Sequence, residues 1–533
     1  MLACRIFFVI LLPAIHHSAK VLVISGIRGS HLYITSEVAE KLVEFGHDVT
    51  LLTSYKDPRV DFTGRNFTFM TYADDKDPYG KNFFERLEAV LEGLLTMPSE
   101  EMIINFIERS EEVYIREYNF NAMAYYTGQE FSSFLDREKF DLIVLEQSEM
   151  MGASIKFNSQ SNIPVIGIIC VSEAKSTRDL HSLPGLHNSE VSGMNEIVDS
   201  PPTFLERLRT VWRYFRFYTI IFPVLSEVSK EDMARTGLTL GDYHLSPFDI
   251  IFINDHPAFS FPYLTPPNTF YLGPFHLKNR VTKQLPETYY KFIDNCEHEH
   301  VVYLSFGTYF SKISQLSQLS DIIQTLNMMN LCVIVRTDID LTDQYNLSSN
   351  KFLQQKWVPQ KDLLGSGMVH FFISHCGNNG RLESVFYKVP LLCIPLFADQ
   401  YHNARLVVSK EFGLCLKREQ LTAHTFKQAL DEMLERQSAF YERMRSAVDI
   451  AVRDPGAGTE VLKFYSDLLI KNKNSEFLIN RIVENQWSHE ILNLDILLLA
   501  FLIVLGLVII IMTLLCKFIR NCCRSSGAKT KKE

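Results

Sequence analysis

The sequence contains few cysteines, glycines and prolines for its length, and it has no excess of positive charge. Ten Cys, 24 Gly and 20 Pro among 533 residues exclude a disulfide-rich scaffold and a collagen-like or low-complexity chain. Basic residues number 53 and acidic residues 62, so the net charge of −9 argues against a nucleic-acid-binding protein that neutralises phosphates. The remaining composition, 47% hydrophobic and 22% charged, is that of a folded protein, and the length predicts two or more domains.

Patterns typical of metal and dinucleotide sites are also missing. Residues 75–77 and 338–340 both read Asp-x-Asp, but carboxylate pairs in polar loops are mostly solvated, so we predict no metal site there. The His-Glu-His run at 298–300 lacks the spacing of a zinc-binding helix, and Gly26 and Gly29 do not form a Gly-x-Gly-x-x-Gly loop. We therefore predict neither a metal nor a dinucleotide cofactor.

The N-terminal residues have the order of a secretory signal peptide. One early positive charge, Arg5, precedes the apolar run 6–12, and small residues follow at positions 18 and 19. We place this signal peptide at residues 1–19. A buried first strand is the alternative interpretation, but residues 20–25 provide a better first strand directly afterwards.

A second apolar segment, residues 496–515, contains no charged residue. As a helix it covers about 30 Å, the hydrocarbon thickness of a bilayer, and a buried core helix is the alternative. The tail at residues 516–533 is rich in Lys and Arg, which predicts a cytosolic location for it. We therefore expect a single-pass type I membrane protein, with residues 471–495 next to the membrane and the body in the lumen.

Short features agree with a location in the endoplasmic reticulum. Lys529 and Lys531 resemble the dilysine retrieval signal of proteins of that membrane. Asn66 and Asn346 begin Asn-x-Ser/Thr triplets, which are glycosylation acceptors in lumenal chains. Residues 200–225 mix aromatic side chains with arginines, and this segment is either a core helix or a segment that lies against membrane lipid.

Strand-like and helix-like segments alternate twice along the body. In the first series an amphipathic helix runs from about His31 to Phe45 with Ser30 as its N-cap, and the strands are at 20–25, 47–52, 140–145 and 164–169. In the second series the strands are at 301–305, 331–336, 371–374 and 389–394. The alternation predicts an α/β protein of two facing, doubly wound Rossmann-like domains, which we place at residues 20–275 and 276–470.

The densest polar pattern lies in residues 357–400. A buried strand ends at Ser374, and a turn of small and polar residues then opens a helix whose first backbone N–H groups form an anion site. His375 adds a donor there, and Glu383 can accept from ribose hydroxyls. Asp399 and Gln400 follow the next strand and suit the hydroxyls of a sugar. The residues alone therefore predict a nucleotide-like ligand.

These segments resemble a known family signature. They read Trp-Val-Pro-Gln-Lys-Asp-Leu-Leu at 357–364, His-Cys-Gly-Asn-Asn-Gly at 375–380 and Pro-Leu-Phe-Ala-Asp-Gln at 395–400. They are similar to the UDP-glycosyltransferases, in particular to the animal membrane-bound branch that includes the UDP-glucuronosyltransferases. The resemblance implies a GT-B fold, a UDP-sugar held by the second domain and a small lipophilic acceptor held by the first. It further implies inverting, metal-independent transfer with UDP-glucuronate or UDP-glucose as the co-substrate.

The resemblance also assigns roles to residues. His31 matches the catalytic base, and Glu146 stands where the family has the aspartate partner of that base. The residues that match donor contacts are Ser305, Gly307, His375, Gly377 and Asn379 for the diphosphate, Arg336, Trp357 and Gln360 for the uracil and ribose, Glu383 for the ribose, and Asp399 and Gln400 for the sugar.

Three departures from the family pattern bear on these assignments. Cys376 replaces a second glycine, a small change that we expect the turn to tolerate. Glu146 replaces an aspartate, and Tyr263 stands where glucuronate-using members commonly carry arginine, which favours UDP-glucose. Because of Glu146, a membrane-tethered carrier of lipophilic molecules is an alternative function, and a UDP-sugar epimerase or hydrolase of similar fold is another. The sequence leaves open the acceptor and any homo- or hetero-oligomer.

Overall fold

The computed structural model describes residues 18–25, 29–53, 62–71, 129–146, 163–170, 248–260, 267–277, 282–307, 316–396, 399–473 and 494–529. The chain forms two compact units, of which the larger contains both β-sheets and the smaller contains the C-terminal apolar helix. Residues 1–17 of the predicted signal peptide, the segment 200–225 and Tyr263 lie outside the described residues.

The first sheet has seven parallel strands in the order β3-β2-β1-β4-β5-β6-β7. Every residue of β4 and β5 is buried, as expected for strands of a parallel sheet that is covered on both faces. We call this sheet and its helices the first half. Its elements are β1 (Lys20–Ser25), α1 (Ser30–Glu44), β2 (Asp48–Thr53), β3 (Thr68–Thr71), α2 (Gln129–Glu138), β4 (Leu142–Glu146), β5 (Val165–Ile169), β6 (Ile250–Ile253) and β7 (Thr269–Tyr271).

The second sheet has six parallel strands in the order β10-β9-β8-β11-β12-β13. We call this sheet and its helices the second half, and an apolar cluster fills each of its two faces. Its elements are α3 (Glu287–Asn295), β8 (His300–Ser305), α4 (Leu319–Met328), β9 (Leu331–Arg336), α5 (Thr342–Tyr345), β10 (Phe352–Gln355), α6 (Gln360–Gly365), β11 (Phe371–Ser374), α7 (Asn378–Tyr387), β12 (Leu391–Cys393), α8 (Gln400–Ser409), β13 (Gly413–Cys415) and α9 (Ala423–Arg453).

The predicted strands occur within two residues of their expected bounds, and the expected doubly wound architecture is confirmed. One local prediction was wrong. Gly29, not Ser30, occupies the N-cap position of α1, and Ser30 is already helical. Gly29 has φ of 66°, a backbone conformation that glycine adopts without the steric cost of a Cβ atom.

Strand order reverses once in each sheet, between β1 and β4 in the first and between β8 and β11 in the second. Ligands of doubly wound folds bind in the crevice outside the carboxyl ends of the strands at such a switch point. Glu146 ends β4, and His31 lies just after β1. Ser305 ends β8, and His375 follows β11. The topology therefore places the predicted site residues at both switch points.

The last helix of the body returns to the first half. This helix, α10, spans Thr459–Asn472, and its residues Val461, Leu462 and Leu469 belong to the apolar core of the first sheet. By contrast, Phe426, Leu430 and Met433 of α9 pack in the core of the second sheet. Chain order alone groups α10 with the second half, whereas side-chain packing groups it with the first.

One further helix, α11, spans Leu494–Lys529. Its segment Leu498–Arg520 is long and apolar enough to cross a membrane, with a mean hydropathy of 3.2. Among the described residues it is the one helix that meets this criterion, by length and composition.

Candidate active site

At the switch point of the first sheet, a histidine and a carboxylate form a close pair. His31 Nδ1 lies 2.8 Å from Glu146 Oε1. The Glu146 side chain is only 1% exposed and that of His31 is 18% exposed. Helix α1 carries the imidazole and β4 carries the carboxylate, and the pairing of β1 with β4 brings the two elements together. An Nδ1–H that donates to Glu146 leaves Nε2 of a neutral imidazole with a free lone pair.

The pair also interacts with a carboxylate of the second half. Burial lowers the pKa of His31, but the charge of Glu146, its hydrogen bond and the charge of Asp399 outweigh this effect, so the pKa lies above its usual 6.5. Burial in turn raises the pKa of Asp399, while a hydrogen bond from Asn403 and the charge of His31 oppose the rise. His31 and Asp399 were predicted on opposite halves, and the structure brings them within electrostatic reach of each other.

A free thiol completes this cluster. Cys170 directly follows β5, which pairs with β4, and its buried thiol is not part of a disulfide. His31, Glu146 and Cys170 each offer one ligand-type atom, and these three atoms lie within 4.8 Å of one another. No local sequence pattern indicated Cys170, because residues 31, 146 and 170 are far apart in the chain and meet only through the pairing of β1, β4 and β5.

At the switch point of the second sheet, His375 lies against two glycines. A Cβ atom on Gly307 would lie 2.4 Å from His375 Cε1, and one on Gly377 would lie 2.6 Å from His375 Nε2. Gly307 also has φ of 79°, and its N–H donates to Ser305 Oγ at 3.4 Å. Gly377 occupies the N-cap position of α7. The start of α7 thus lies beside Ser305, Gly307, His375 and Gly377. The first backbone N–H groups of a helix have no partner inside the helix and suit an anion.

The imidazole of His375 is neutral. Burial and the nearby Arg336 guanidinium lower its pKa to about 4. Arg336 Nη1 also donates to the Gly307 carbonyl oxygen. A neutral imidazole can still donate one N–H, so His375 fits the predicted donor role as a dipole and not as a cation.

The turn between His375 and Gly377 is covalently tied to the next strand. Cys376 forms a disulfide with Cys393 of β12, and a second disulfide joins Cys296 to Cys332. Cys376 has φ of 63°, the left-handed region that favours glycine. The turn was expected to tolerate this small change from glycine to cysteine, and the structure shows in addition a disulfide that joins the turn to β12.

The four residues predicted to contact the base and the ribose are linked in pairs. Gln360 Nε2 donates to Glu383 Oε2 at 2.7 Å, and the Tyr303 hydroxyl donates to Gln360 Oε1 at 3.2 Å. Trp357 is 56% exposed, with the Arg336 guanidinium 5.8 Å from its ring centroid. An exposed indole face next to a fixed amide–carboxylate pair suits a planar base and its ribose.

The remaining predicted donor residues have clear local partners. Asp399 Oδ2 accepts from Asn403 Nδ2 at 2.8 Å, and Gln400 Oε1 accepts from the Leu396 N–H at 2.8 Å. Asn379 Oδ1 accepts from Asn254 Nδ2 at 3.4 Å, which links α7 to the residue after β6. Each of these three side chains is thus hydrogen-bonded within the protein, and Gln400 Oε1 is used inside its own half.

Sequence reasoning missed the contacts that join the halves. Arg381 Nη2 lies 2.6 Å from Asp255 Oδ2, and both side chains are at most 1% exposed. Lys361 Nζ lies 3.4 Å from the centroid of the Tyr33 ring, and burial lowers the pKa of Lys361 to about 8. Lys361 lies inside a signature segment and Arg381 directly follows one, but their partners lie in the other half at unrelated sequence positions, so no local pattern identifies them.

Comparison with known proteins agrees with this geometry. The family described as UDP-glucoronosyl and UDP-glucosyl transferase matches residues 19–532. The chain belongs to this family. It is therefore a transferase with the UDP-sugar-binding architecture that the signature predicted, and the family resemblance is confirmed.

Two relatives and one solved structure are similar to this chain at low sequence identity. UDP-glucuronosyltransferase 1A7 of Mus musculus is 23% identical over 94% of this chain and 92% of its own length. The 2-hydroxyacylsphingosine 1-beta-galactosyltransferase of the same species is 24% identical over 98% and 93%. The crystal structure of the glycosyltransferase VinC in complex with DTDP has a TM-score of 0.56 at 14% identity and covers 85% of this chain and 99% of its own. The last likeness confirms the GT-B fold.

Proposed function

We propose that this UDP-glycosyltransferase transfers a hexose from a UDP-sugar to a hydroxyl of a small lipophilic acceptor, with inversion at the anomeric carbon. His31 Nε2 takes the proton of the acceptor hydroxyl while that oxygen bonds to the anomeric carbon. The bond from this carbon to the diphosphate breaks, and its electron pair leaves with UDP. The observation that carries the proposal is the His31–Glu146 hydrogen bond of 2.8 Å, which leaves Nε2 free to act as a base.

Glu146 supports the base in this scheme. Its carboxylate fixes the tautomer of His31 and stabilises the imidazolium that forms, as the carboxylate of a Ser-His-Asp triad does. This contact counts against the carrier alternative, because the longer side chain of glutamate still reaches the imidazole. Positioning of the two substrates across the crevice supplies a further part of the rate acceleration.

The second half binds the donor in this proposal. Trp357 and Arg336 contact the uracil, and Gln360 and Glu383 contact the ribose. Ser305, Gly307, His375, Gly377 and Asn379 surround the diphosphate, whose growing negative charge the N–H groups at the start of α7 stabilise. Asp399 and Gln400 contact the hexose. The UDP-sugar is a co-substrate, and the scheme uses neither a metal nor another cofactor.

The proposed domain division follows these roles, with the acceptor held by residues 20–275 and the donor by residues 276–470. A lipophilic acceptor agrees with the apolar helix α11 and with a relative whose name includes 2-hydroxyacylsphingosine, a lipid. UDP-glucuronate and UDP-glucose are both candidate donors, and Tyr263 in place of arginine favours UDP-glucose.

We also propose that the body lies in the lumen of the endoplasmic reticulum, anchored by α11 as a single-pass type I protein. Two disulfides in the body are typical of an oxidising compartment. Asn66 and Asn346, the acceptors of the two glycosylation triplets, are both exposed. Endoglycosidase digestion of the Asn66→Gln and Asn346→Gln variants tests this topology. A wild-type chain without attached glycan would contradict it.

The transfer reaction is tested on the purified full-length protein in detergent, with radiolabelled UDP-glucose and UDP-glucuronate and a panel of phenols. Formation of a conjugate supports the proposal, and competition between the two donors identifies the sugar. Release of UDP without any acceptor would instead indicate the hydrolase, and UDP binding without conjugate under either donor would indicate the carrier.

A further inference from the structure

The cluster of His31, Glu146 and Cys170 has the chemistry of a metal site. One imidazole nitrogen, one carboxylate oxygen and one thiol sulfur lie within 4.8 Å of one another. The side chains are attached to the ends of adjacent elements, since β1 pairs with β4 and β4 pairs with β5. Neighbouring strands of a buried parallel sheet hold such positions firmly.

The cluster has unused ligand capacity. Glu146 Oε2 is buried and has no hydrogen-bond partner among the described residues, although a buried carboxylate oxygen normally has one. The Cys170 thiol is free. Thiolate, imidazole and carboxylate are the ligand types that Zn²⁺ prefers in proteins, and the thiolate also selects softer ions such as Cd²⁺.

We propose that this cluster is an inhibitory binding site for a thiophilic divalent cation, Zn²⁺ or Cd²⁺. Tetrahedral zinc with bonds of about 2.0–2.3 Å requires ligand atoms roughly 3.3–3.6 Å apart. The cluster reaches this spacing when its widest separation, at most 4.8 Å, closes by about 1 Å and the 2.8 Å distance from His31 Nδ1 to Glu146 Oε1 opens by about 0.5 Å. Three protein ligands leave the fourth position for water, as in open zinc sites.

Inhibition follows because the cation binds a ring nitrogen of His31. This step rests on the proposed role of His31 as the base. A cation bound at His31 Nδ1 displaces the proton that this nitrogen donates to Glu146. The neutral imidazole then carries its proton on Nε2, where no lone pair remains for the acceptor hydroxyl. The thiol of Cys170 gives its proton to solvent when it binds the cation, so no oxidant or reductant is needed.

Binding is tested on the full-length protein with Co²⁺ as the spectroscopic probe, in the absence of thiol reductants. We expect a near-ultraviolet band from thiolate-to-Co²⁺ charge transfer in the wild type that is lost in Cys170→Ser. The matched control is Cys415→Ser, which removes the other cysteine of the described body that is outside a disulfide and should keep the band. An identical band in wild type and Cys170→Ser would overturn the proposal, because the signal would then come from other cysteines.

The consequence is tested by titration of transferase activity with Zn²⁺ and Cd²⁺. We expect loss of turnover that chelation reverses, and a rise of at least about tenfold in the inhibitory concentration for Cys170→Ser. Equal inhibition of wild type and Cys170→Ser would overturn the inhibitory role. If no conjugate forms even before Zn²⁺ or Cd²⁺ is added, the proposed function is contradicted instead. The Co²⁺ band then still tests the cation site, because it does not depend on transferase activity.

Discussion

The two halves of the body hold their polar site residues in different ways. In the second half the residues are linked by several contacts: Gln360 to Glu383, Arg336 to Gly307, and Cys376 to Cys393 through a disulfide. In the first half a single hydrogen bond joins His31 to Glu146. In the proposed mechanism donor binding is therefore distributed over many contacts, whereas proton transfer depends on one pair. Substitutions in the two halves should then affect different steps.

The largest effect is expected from His31→Ala. Turnover should fall by roughly 10³- to 10⁴-fold because no base remains, while the affinity for UDP stays unchanged because the donor contacts lie in the second half. Steady-state kinetics and isothermal titration calorimetry measure the two quantities. His424→Ala, at an exposed histidine of α9, is the control. Loss of UDP affinity in His31→Ala would place this residue in donor binding instead.

Glu146→Gln keeps the shape of the side chain and removes its charge. We expect turnover to fall by roughly 10²- to 10⁴-fold, and Glu146→Asp to retain measurable activity. The pH profile gives a second readout. Glu146 raises the pKa of His31 above 6.5 against the lowering effect of burial, and only neutral His31 is a base.

The acid limb of the wild-type profile of turnover against pH should therefore lie above pH 6.5. In Glu146→Gln it should move to lower pH, because the lowering effect of burial on the pKa of His31 then dominates. A glutamate that merely supports the fold would not move this limb. Wild-type turnover in Glu146→Gln would contradict the pairing of the two residues in catalysis.

Gly307→Ala should weaken donor binding without removing the base. Its Cβ would lie 2.4 Å from His375 Cε1, so the imidazole must move away from the proposed diphosphate site. We expect the KM for the UDP-sugar to rise by about tenfold, the loss of roughly one charge-assisted hydrogen bond, with a smaller change in kcat. Gly367→Ala is a matched control, because Gly367 has φ of 77° and nothing within 4 Å of the added atom. Equal effects of both variants would assign the loss to backbone strain alone.

The smallest effect is expected from Lys361→Met, a substitution at the contact between the halves, and it concerns stability. Burial lowers the pKa of Lys361 from 10.5 to about 8, so between these pH values the unfolded chain binds more protons and stability rises with pH. Lys361→Met should lack this rise and should be the more stable protein at pH 7. Thermal unfolding of both proteins from pH 7 to 10 measures the difference. Lower stability of Lys361→Met at every pH would show that the contact with the Tyr33 ring outweighs the cost of burial.

The fold could be predicted because its strands are nearly continuous apolar runs, such as Val21–Ile24 and Leu142–Leu145, separated by helical segments. The donor residues could be assigned because most of them lie in one stretch, residues 357–400, which matches a family signature. Their individual roles stay predictions. The contacts that the sequence did not reveal are long-range ones: Arg381 with Asp255, Cys376 with Cys393, and Cys170 beside His31. Such pairs depend on strand order, which no local pattern encodes.

The return of α10 to the first sheet means that the described elements cross between the halves twice along the chain. The first crossing follows β7, and the second lies between α9 and α10. Tyr271 at the end of β7 forms a parallel bridge with Ala457, and His256 Nε2 lies 3.0 Å from Asp454 Oδ2 beside them. The two connections are therefore adjacent and join the halves along one edge. Separation of Arg381 from Asp255 would leave two buried charges without partners, which is strongly unfavourable, so this ion pair holds the halves together beside the two connections.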